Sequence, residues 1–257
     1  MKNKLIIGMI HLPVTLSYDN WVGIDYLISK AKKDLITLEN AGFDGALIEN
    51  DSDHPCQIYG TADVVAPMSI VAFELKKISK IKLGIEVLLN DPKASLAIAK
   101  TCNLDFIRTD YFIDKMKRDI YGEFKIDPID LLNYRHKIKA DNIKIYADLQ
   151  VKYATMLDKN KSIEISAKEA IKAGADGIII TGSKTGEKPL INDLKTATQI
   201  ANGKIPILIG SGLSENNVQD LMYFANGAIV GTSIKTGEYI DINKAKKLML
   251  KFKYDKK

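Results

Sequence analysis

The stretch PILIGSGLSENNVQDLMYFANGAIVGTSIK, Pro206 to Lys235, decides the fold. A short apolar run, Ile207 to Ile209, ends in Gly210-Ser211-Gly212. A second, Ala228 to Val230, ends in Gly231-Thr232-Ser233. Between them a helix is expected to open at Ser214 to Asn217. Two consecutive strands that each stop in a small-residue turn match the seventh and eighth strands of a (β/α)8 barrel. The loops after those strands build a phosphate site on the C-terminal face. Small residues let backbone N–H groups approach an anion, and a helix N-terminus adds partial positive charge. Gly182, Ser211, Gly212, Gly231, Thr232 and Ser233 are therefore the phosphate-binding candidates. The reading demands six more strand–helix units upstream.

The chain supplies them. Strands are expected at Leu5–Ile10, Asp44–Ile48, Lys82–Leu89, Asp105–Thr109, Ile143–Ala147 and Gly177–Ile180. Helices are expected at about 24–40, 62–78, from Pro92, 127–140, 163–173 and 191–201, with a final one at 242–252. Leu27, Ile28, Ala31, Leu35 and Leu38 recur with helical period. Gly42 and Gly174 mark helix stops. Such alternation makes a parallel sheet, and eight units in 257 residues favour a closed barrel over an open doubly wound sheet. The fold class is a single TIM barrel of the phosphate-binding type over residues 1–257, with a basic tail at 252–257 expected to fray. The segments Asn40 to Gly45 and Lys172 to Gly177 share a helix-stop, glycine and Asp-Gly pattern. Long connections follow several strands, and the one from Tyr111 to Ile126 mixes charge and aromatics, as a lid or a mobile insertion does.

Composition narrows the function classes. A 46% hydrophobic content supports a large core, and 27% charged residues is ordinary for a globular chain. The net charge of +5 comes from lysine, and the arginines are Arg108, Arg118 and Arg135. A lysine-rich, arginine-poor chain is a poor match to base-reading surfaces, so no nucleic-acid partner is expected. No apolar run approaches the ~20 residues of a membrane span. Residues 5–12 read as a first strand rather than a signal peptide. Cys56 and Cys102 fit a reducing, cytoplasmic setting.

Polar residues collect where the apolar strands stop: His11, Glu49, Asn50, Glu86, Asn90, Asp91, Arg108, Asp110, Asp148, Lys152 and Thr181. Glu86 and Arg108 interrupt runs that should be apolar, so a Glu86–Arg108 pair inside the barrel mouth is expected, with Asp110 on the same side of its strand as Arg108. Glu49, Asp110 and Asp148 are candidates for acid–base work, and crowding raises carboxylate pKa values. Glu49 and Asp148 are also the residues that would hold a divalent cation such as Mg²⁺, although no cofactor is required by the sequence. Lys152 would bind an anion, form a Schiff base or balance the carboxylates. His11 would be a base or ligand. Cys56, after His54-Pro55, gives little ground for a nucleophile. Thr181 to Gly186 lacks the order of a Walker A loop and fits better as a third wall of the anion site.

Taken together, Gly8-Met9-Ile10-His11-Leu12, Asp44-Gly45, Ile48-Glu49-Asn50, Leu89-Asn90-Asp91, Phe106-Ile107-Arg108, Ala147-Asp148, Val151-Lys152, Asp176-Gly177, Thr181-Gly182, Thr185-Gly186, Gly210-Ser211-Gly212 and Ala228 to Gly231 resemble the BtpA/SgcQ family over nearly the whole chain. The resemblance implies a TIM barrel. One cyanobacterial branch of that family is tied to photosystem I biogenesis, while other members are described as barrel enzymes without an agreed reaction. This chain departs from the family pattern at Pro13 to Leu16, Ser52, Glu86, Asp110 and Tyr153. These positions cluster at the expected mouth and bear on the substrate more than on the fold.

The function expected is acid–base catalysis on a small phosphorylated metabolite, a sugar phosphate or nucleotide-like molecule. An assembly or stability factor for a protein complex, or a ligand-binding regulatory barrel, are the alternatives. A homo-oligomer is compatible with either.

Overall fold

Alternating apolar runs and amphipathic helices close into a barrel because each strand must bury both faces, one on the barrel interior and one under a helix. The structure is a computed structural model that describes residues 4–254. In chain order the elements are β1 (Leu5–His11), α1 (Ile24–Ala41), β2 (Gly45–Glu49), α2 (Ala62–Ile78), β3 (Lys82–Glu86), α3 (Pro92–Thr101) and β4 (Phe106–Thr109). Then come β5 (Met116–Arg118), β6 (Gly122–Phe124), α4 (Pro128–Lys137), β7 (Lys144–Leu149), β8 (Thr155–Met156), α5 (Ile163–Lys172), β9 (Gly177–Ile180) and α6 (Ile191–Ala201). The last are β10 (Ile207–Ile209), α7 (Val218–Met222), β11 (Gly227–Val230), β12 (Lys235–Thr236), β13 (Tyr239–Ile240) and α8 (Ile242–Tyr254). Eight parallel strands close the barrel in the order β1-β11-β10-β9-β7-β4-β3-β2. Residues 255–257, part of the tail expected to fray, lie outside the described residues.

A repeated device sets the register at the N-terminal end. Asp44, Asp105, Asp176 and Asn226 stand just before β2, β4, β9 and β11, the second, fourth, sixth and eighth barrel strands in chain order. Each accepts a backbone N–H from the preceding odd strand: Ile6 at 2.8 Å, Leu83 at 3.0 Å, Ile145 at 3.1 Å and Ile207 at 2.9 Å. The Asp-Gly pairs at 44–45 and 176–177 are the visible trace of this device, so their likeness is a shared structural role.

Inside the barrel, Ile7, Met9, Leu47, Phe106, Tyr146, Ile179, Leu208 and Ile229 form one buried cluster. The Phe106 and Tyr146 rings lie 5.2 Å apart. Glycines opposite make the room: a Cβ at Gly84 would lie 2.2 Å from Phe106, and one at Gly177 2.7 Å from Tyr146. This floor is fully apolar, so the polar residues one pleat higher start abruptly.

Three expectations are corrected. The third strand ends at Glu86 rather than Leu89, because polar partners peel the chain away: Val87 N–H donates to Ser95 Oγ and Leu88 N–H to Asn50 Oδ1. The helix expected from Ser214 starts only at Val218, because the Asn217 side chain accepts from Ser214 N–H and donates to Gly212 O. The 111–126 connection is built, not loose: β5 pairs with β6 and with β8 in a small antiparallel sheet. Cys56, Leu89, Tyr111, Met116, Phe124 and Val151 form its own core.

Overpacking the floor should be measurable. Gly84→Ala is expected to cost about 1–3 kcal/mol in urea unfolding, and Phe106→Leu in the same chain should restore part of it. An unperturbed single variant would show that the floor is loosely packed.

Candidate active site

Two-residue alternation carries Met9 and then His11 inward on β1, Leu47 and then Glu49 on β2, and Phe106 and then Arg108 on β4. Register sets His11 beside Glu49 and Glu49 beside Glu86. On β7, Tyr146 lies beside Arg108, and Asp148 stands one pleat above it. Glu49, Glu86, Arg108, Asp110 and Asp148 are all buried. The converging rim expected from strand ends is present.

Arg108 is its centre. Nε and Nη2 donate to the two oxygens of Asp148 at 2.8 and 3.0 Å. Glu86 Oε2 lies 3.6 Å from Nε, and Glu49 Oε1 3.9 Å from Nη1. The expected Glu86–Arg108 contact thus exists inside the barrel, but it is the looser one. Asp148 takes the planar fork because it faces the guanidinium from the adjacent strand in bidentate geometry. That commits both Asp148 oxygens to Arg108 rather than to a cation. Among the described residues no group of three or more His, Cys, Asp or Glu side chains is arranged to hold a metal ion.

One arginine cannot compensate so many buried carboxylates, and their pKa values split. Burial, then the charges of Asp110 and Glu49 against the opposing pull of Arg108, hold Glu86 well above the usual carboxylate range. Burial and the Asp148 charge push Asp110 up to about 7, against Arg108 and Lys152. Burial also works against the charged form of Glu49, but His11, the hydrogen bond from Glu86 and Arg108 outweigh it, and its pKa lies low. His11 Nε2 is 3.5 Å from Glu49 and Nδ1 3.3 Å from Asp51. Burial nonetheless holds its pKa below the ordinary value, with Lys235 and Lys30 adding to that effect. With the imidazole pushed toward its neutral form, Arg108, Lys152 and the hydrogen bond with Glu86 help hold the Glu49 charge.

Several buried polar atoms here have no partner: Glu86 Oε2, Asn90 Oδ1, Asp110 Oδ1, Tyr111 Oη and Thr181 Oγ1. Unsatisfied buried groups are costly, and their concentration at one end of a barrel is the mark of a site that a ligand or water completes.

The mouth has two lobes. A cavity of about 460 Å³ runs from Arg108 and Lys152 to the turns at Gly210–Ser214 and Gly231–Ser233. A second, of about 750 Å³, lies under the β5–β6 hairpin and includes Glu86 and Asp110. Glu49, Asp51, Arg108, Lys152 and Thr185 line both.

The phosphate candidates divide. Gly212, Gly231, Thr232, Ser233 and Ser211 line the first lobe. Yet Gly182 N–H donates to Ser211 Oγ at 2.8 Å, and that hydroxyl donates to Glu187 O at 2.7 Å. Ser233 Oγ donates to Leu213 O. Gly182 and the Ser211 hydroxyl therefore stitch two loops together instead of facing the lobe. Gly212 has φ +68°, and a Cβ there would meet Lys188 N at 2.2 Å. It is a close-approach glycine. Because α7 starts late and spans only Val218–Met222, the expected helix N-terminus at the anion site is also withdrawn.

Asn50 and Asp91 serve structure. Asn50 bonds Asp53 and Leu88, and Asp91 caps α3 at Ala94 and holds Gly60 N–H. Cys56 is buried and donates to Asp53 O, and burial pushes its thiol up to about 11, which excludes a ready thiolate. Asp51 was not foreseen, although it directly follows the second strand's polar end. Lys30 was not foreseen either. On α1 it is buried against Asp34 at 2.7 Å and donates to His11 O.

The sequence pattern of the BtpA family matches residues 2–254. The chain belongs to the BtpA family. The photosystem I biogenesis protein BtpA of Synechocystis sp. is 35% identical over 234 residues, covering 90% of this chain and 80% of that protein. An uncharacterized protein of Methanocaldococcus jannaschii is 35% identical over 259 residues, covering 96% of this chain and 95% of its own. Among solved structures, 3-hexulose-6-phosphate synthase from Salmonella typhimurium superposes with a TM-score of 0.62 at 15% identity, covering 98% and 99% of the two chains. Thiamine phosphate pyrophosphorylase from Pyrococcus furiosus gives 0.62 at 13% identity, covering 98% of each. At those identities the likeness is one of fold: a TIM barrel. Among the described residues no helix of this family member is long and apolar enough to cross a membrane.

Two stability measurements test the electrostatics. Arg108→Met leaves Asp148 buried and unpaired, an expected loss of about 3–5 kcal/mol, and Asp148→Leu in the same chain should recover much of it. Asp110 has a folded pKa of about 7 against ~3.9 unfolded. A raised carboxylate favours folding fully below its unfolded value, and that contribution is lost as pH rises through the folded one. The Tm advantage of Asp110→Asn over wild type should therefore grow from about pH 4 to about pH 8. A pH-independent difference would place Asp110 in an ordinary, solvated setting.

Proposed function

We propose that this chain is an enzyme acting on a small phosphorylated metabolite. The phosphate sits in the lobe bounded by Gly212 and Gly231–Ser233, and the carbon chain lies over Glu49, Glu86 and Asp110. The observation that carries the reading is the division of labour among those three carboxylates. Burial pushes Glu86 toward its protonated form, Glu49 is held toward its charged form, and Asp110 is pushed up to about 7 in the same buried wall. Neighbouring carboxyl groups with separated pKa values supply an acid and a base at one pH. A base near pH 7 also has the best compromise between availability and strength. Proton transfer at a carbon or at a leaving oxygen is within their reach, the step common to isomerases, lyases and hydrolases. Lys152, at the junction of the lobes, balances charge and meets an anionic substrate. The barrel itself carries no chemistry, since unrelated activities share it.

A second reading, an assembly factor, draws on what the Synechocystis relative is called. It requires no ligand in the mouth.

A thermal-shift panel of inorganic phosphate, sugar phosphates and nucleotides, with and without Mg²⁺, separates the two. A ligand at a hundred times its Kd adds about 2.7 kcal/mol of stability. Thr232 is exposed on the lobe wall, so Thr232→Asp adds repulsion without repacking and should abolish the shift. A flat response across the whole panel would move the weight to the assembly reading.

A further inference from the structure

The larger lobe lies beside the turns assigned to the phosphate and includes none of Gly212 and Gly231–Ser233. Its outer wall is the hairpin of β5 and β6, and Arg118 ends β5 facing it. The guanidinium carbon lies 5.6 Å from the Tyr121 ring centroid and 5.8 Å from that of Tyr153. Aromatic faces steady a cation but accept none of the five guanidinium N–H groups in a hydrogen bond of ordinary strength. Arg108 and Arg135 each hold a carboxylate, Asp148 and Asp176. Arg118 makes no ion pair among the described residues, even though Asp119 is its neighbour on the same lobe.

A second observation comes from the lobe floor. Glu86 Oε2 and Asp110 Oδ1 are buried there without hydrogen-bond partners. Burial and the Asp110 charge push the Tyr111 phenol up to about 12, against a hydrogen bond from Arg118 and its charge; that contact uses part of the guanidinium and leaves its other N–H groups for a ligand.

The hairpin is fixed in place. Buried Asp114, just before β5, accepts Gln150 N–H at 2.9 Å and Ser166 Oγ at 2.7 Å, and pairs with Lys161 at 2.7 Å. Tyr153 is held in turn, its hydroxyl accepting Thr185 N–H at 2.9 Å. Arg118 is thus preorganised, which lowers the ordering cost of binding.

We infer that Arg118 is a second anion anchor, and that the substrate carries a carboxylate at the end opposite its phosphate. The substrate class is a phosphorylated carboxylic acid such as a sugar-acid phosphate. This rests on the phosphate reading for the other end. A planar monoanion fits the guanidinium fork. A second phosphate would bring more charge beside Asp110 and Asp119, where repulsion grows. With both ends anchored, the carbons next to the carboxylate lie over Asp110 and Glu86, which holds the reacting centre against its acid and base.

The test uses 6-phosphogluconate and sorbitol 6-phosphate, which differ only in a terminal carboxylate against a hydroxymethyl group. Calorimetry on the wild-type protein should give about tenfold tighter binding of the acid, the scale of one charge-assisted contact. Arg118→Gln should erase that advantage and leave sorbitol 6-phosphate unaffected. Equal wild-type affinities, or a variant that weakens both alike, overturn the inference. If inorganic phosphate binds and neither probe does, the second anchor fails alone. If phosphate is silent too, the phosphate reading fails with it. A phosphate-free control is independent of that reading: gluconate should protect Arg118 from phenylglyoxal, followed by peptide mass spectrometry. Unchanged labelling overturns the carboxylate anchor.

Discussion

One guanidinium organises the mouth of this barrel. Arg108 rises from the floor and faces Glu49, Glu86 and Asp148 within 4 Å, with Asp110 just past the end of its strand. In a buried setting the charge of one arginine stabilises one carboxylate fully, and the bidentate geometry gives that place to Asp148. The others cannot all ionise. Burial favours the protonated form of Glu86, Asp110 is pushed up to about 7, and a hydrogen bond with Glu86 favours the charged form of Glu49. The chemistry proposed for the site is a consequence of this shortage of positive charge. A second arginine at the floor would remove the perturbed values, and with them the acid and the base.

The fold places that shortage where it is useful. Ring packing of Phe106 and Tyr146 against Gly84 and Gly177 fills the space beneath the charged layer with buried side chains. Above it, the walls come from two kinds of loop. On one side the turn after β10 is sewn to the 182–188 loop by Ser211, and the turn after β11 is tied to the β10 turn through Ser233 and Leu213 O. On the other side, the connections after β4 and β7 contribute three short strands with their own apolar core. The site is therefore rigid on both flanks, a condition for orienting a flexible substrate.

Small residues in the phosphate turns illustrate a recurrent ambiguity. Glycine beside a ligand and glycine beside another loop obey the same steric rule, close approach of backbone. Gly212 satisfies it against Lys188, and Gly182 against Glu187. Only the packed structure tells which neighbour the missing side chain makes room for. Gly231 differs: the nearest contacts for an added Cβ there are the Met9 and His11 side chains, not the backbone of another loop.

Much of the architecture is local in origin and so was readable along the chain. Helical period in α1, Gly42 and Gly174 as helix stops, and the Asp-Gly pairs that start β2 and β9 all depend on neighbours a few residues away. Inward polar residues at Glu49, Glu86, Arg108 and Asp148 were legible for the same reason: they break apolar runs whose period is two. What the sequence could not decide was partnership. The choice of Asp148 over Glu86 by Arg108 depends on the stagger of adjacent strands and on angstrom differences between residues 40 apart or 22 apart in the chain. The β5–β6–β8 sheet was hidden because strands of two or three residues are too short for any period to show. The delayed start of α7 was hidden because a single side chain, Asn217, competes with the backbone in a way that composition does not reveal. Sequence determined which residues meet at the mouth; tertiary structure alone decided which of them neutralise one another and which are left to do chemistry, because charge compensation is settled by distance in three dimensions.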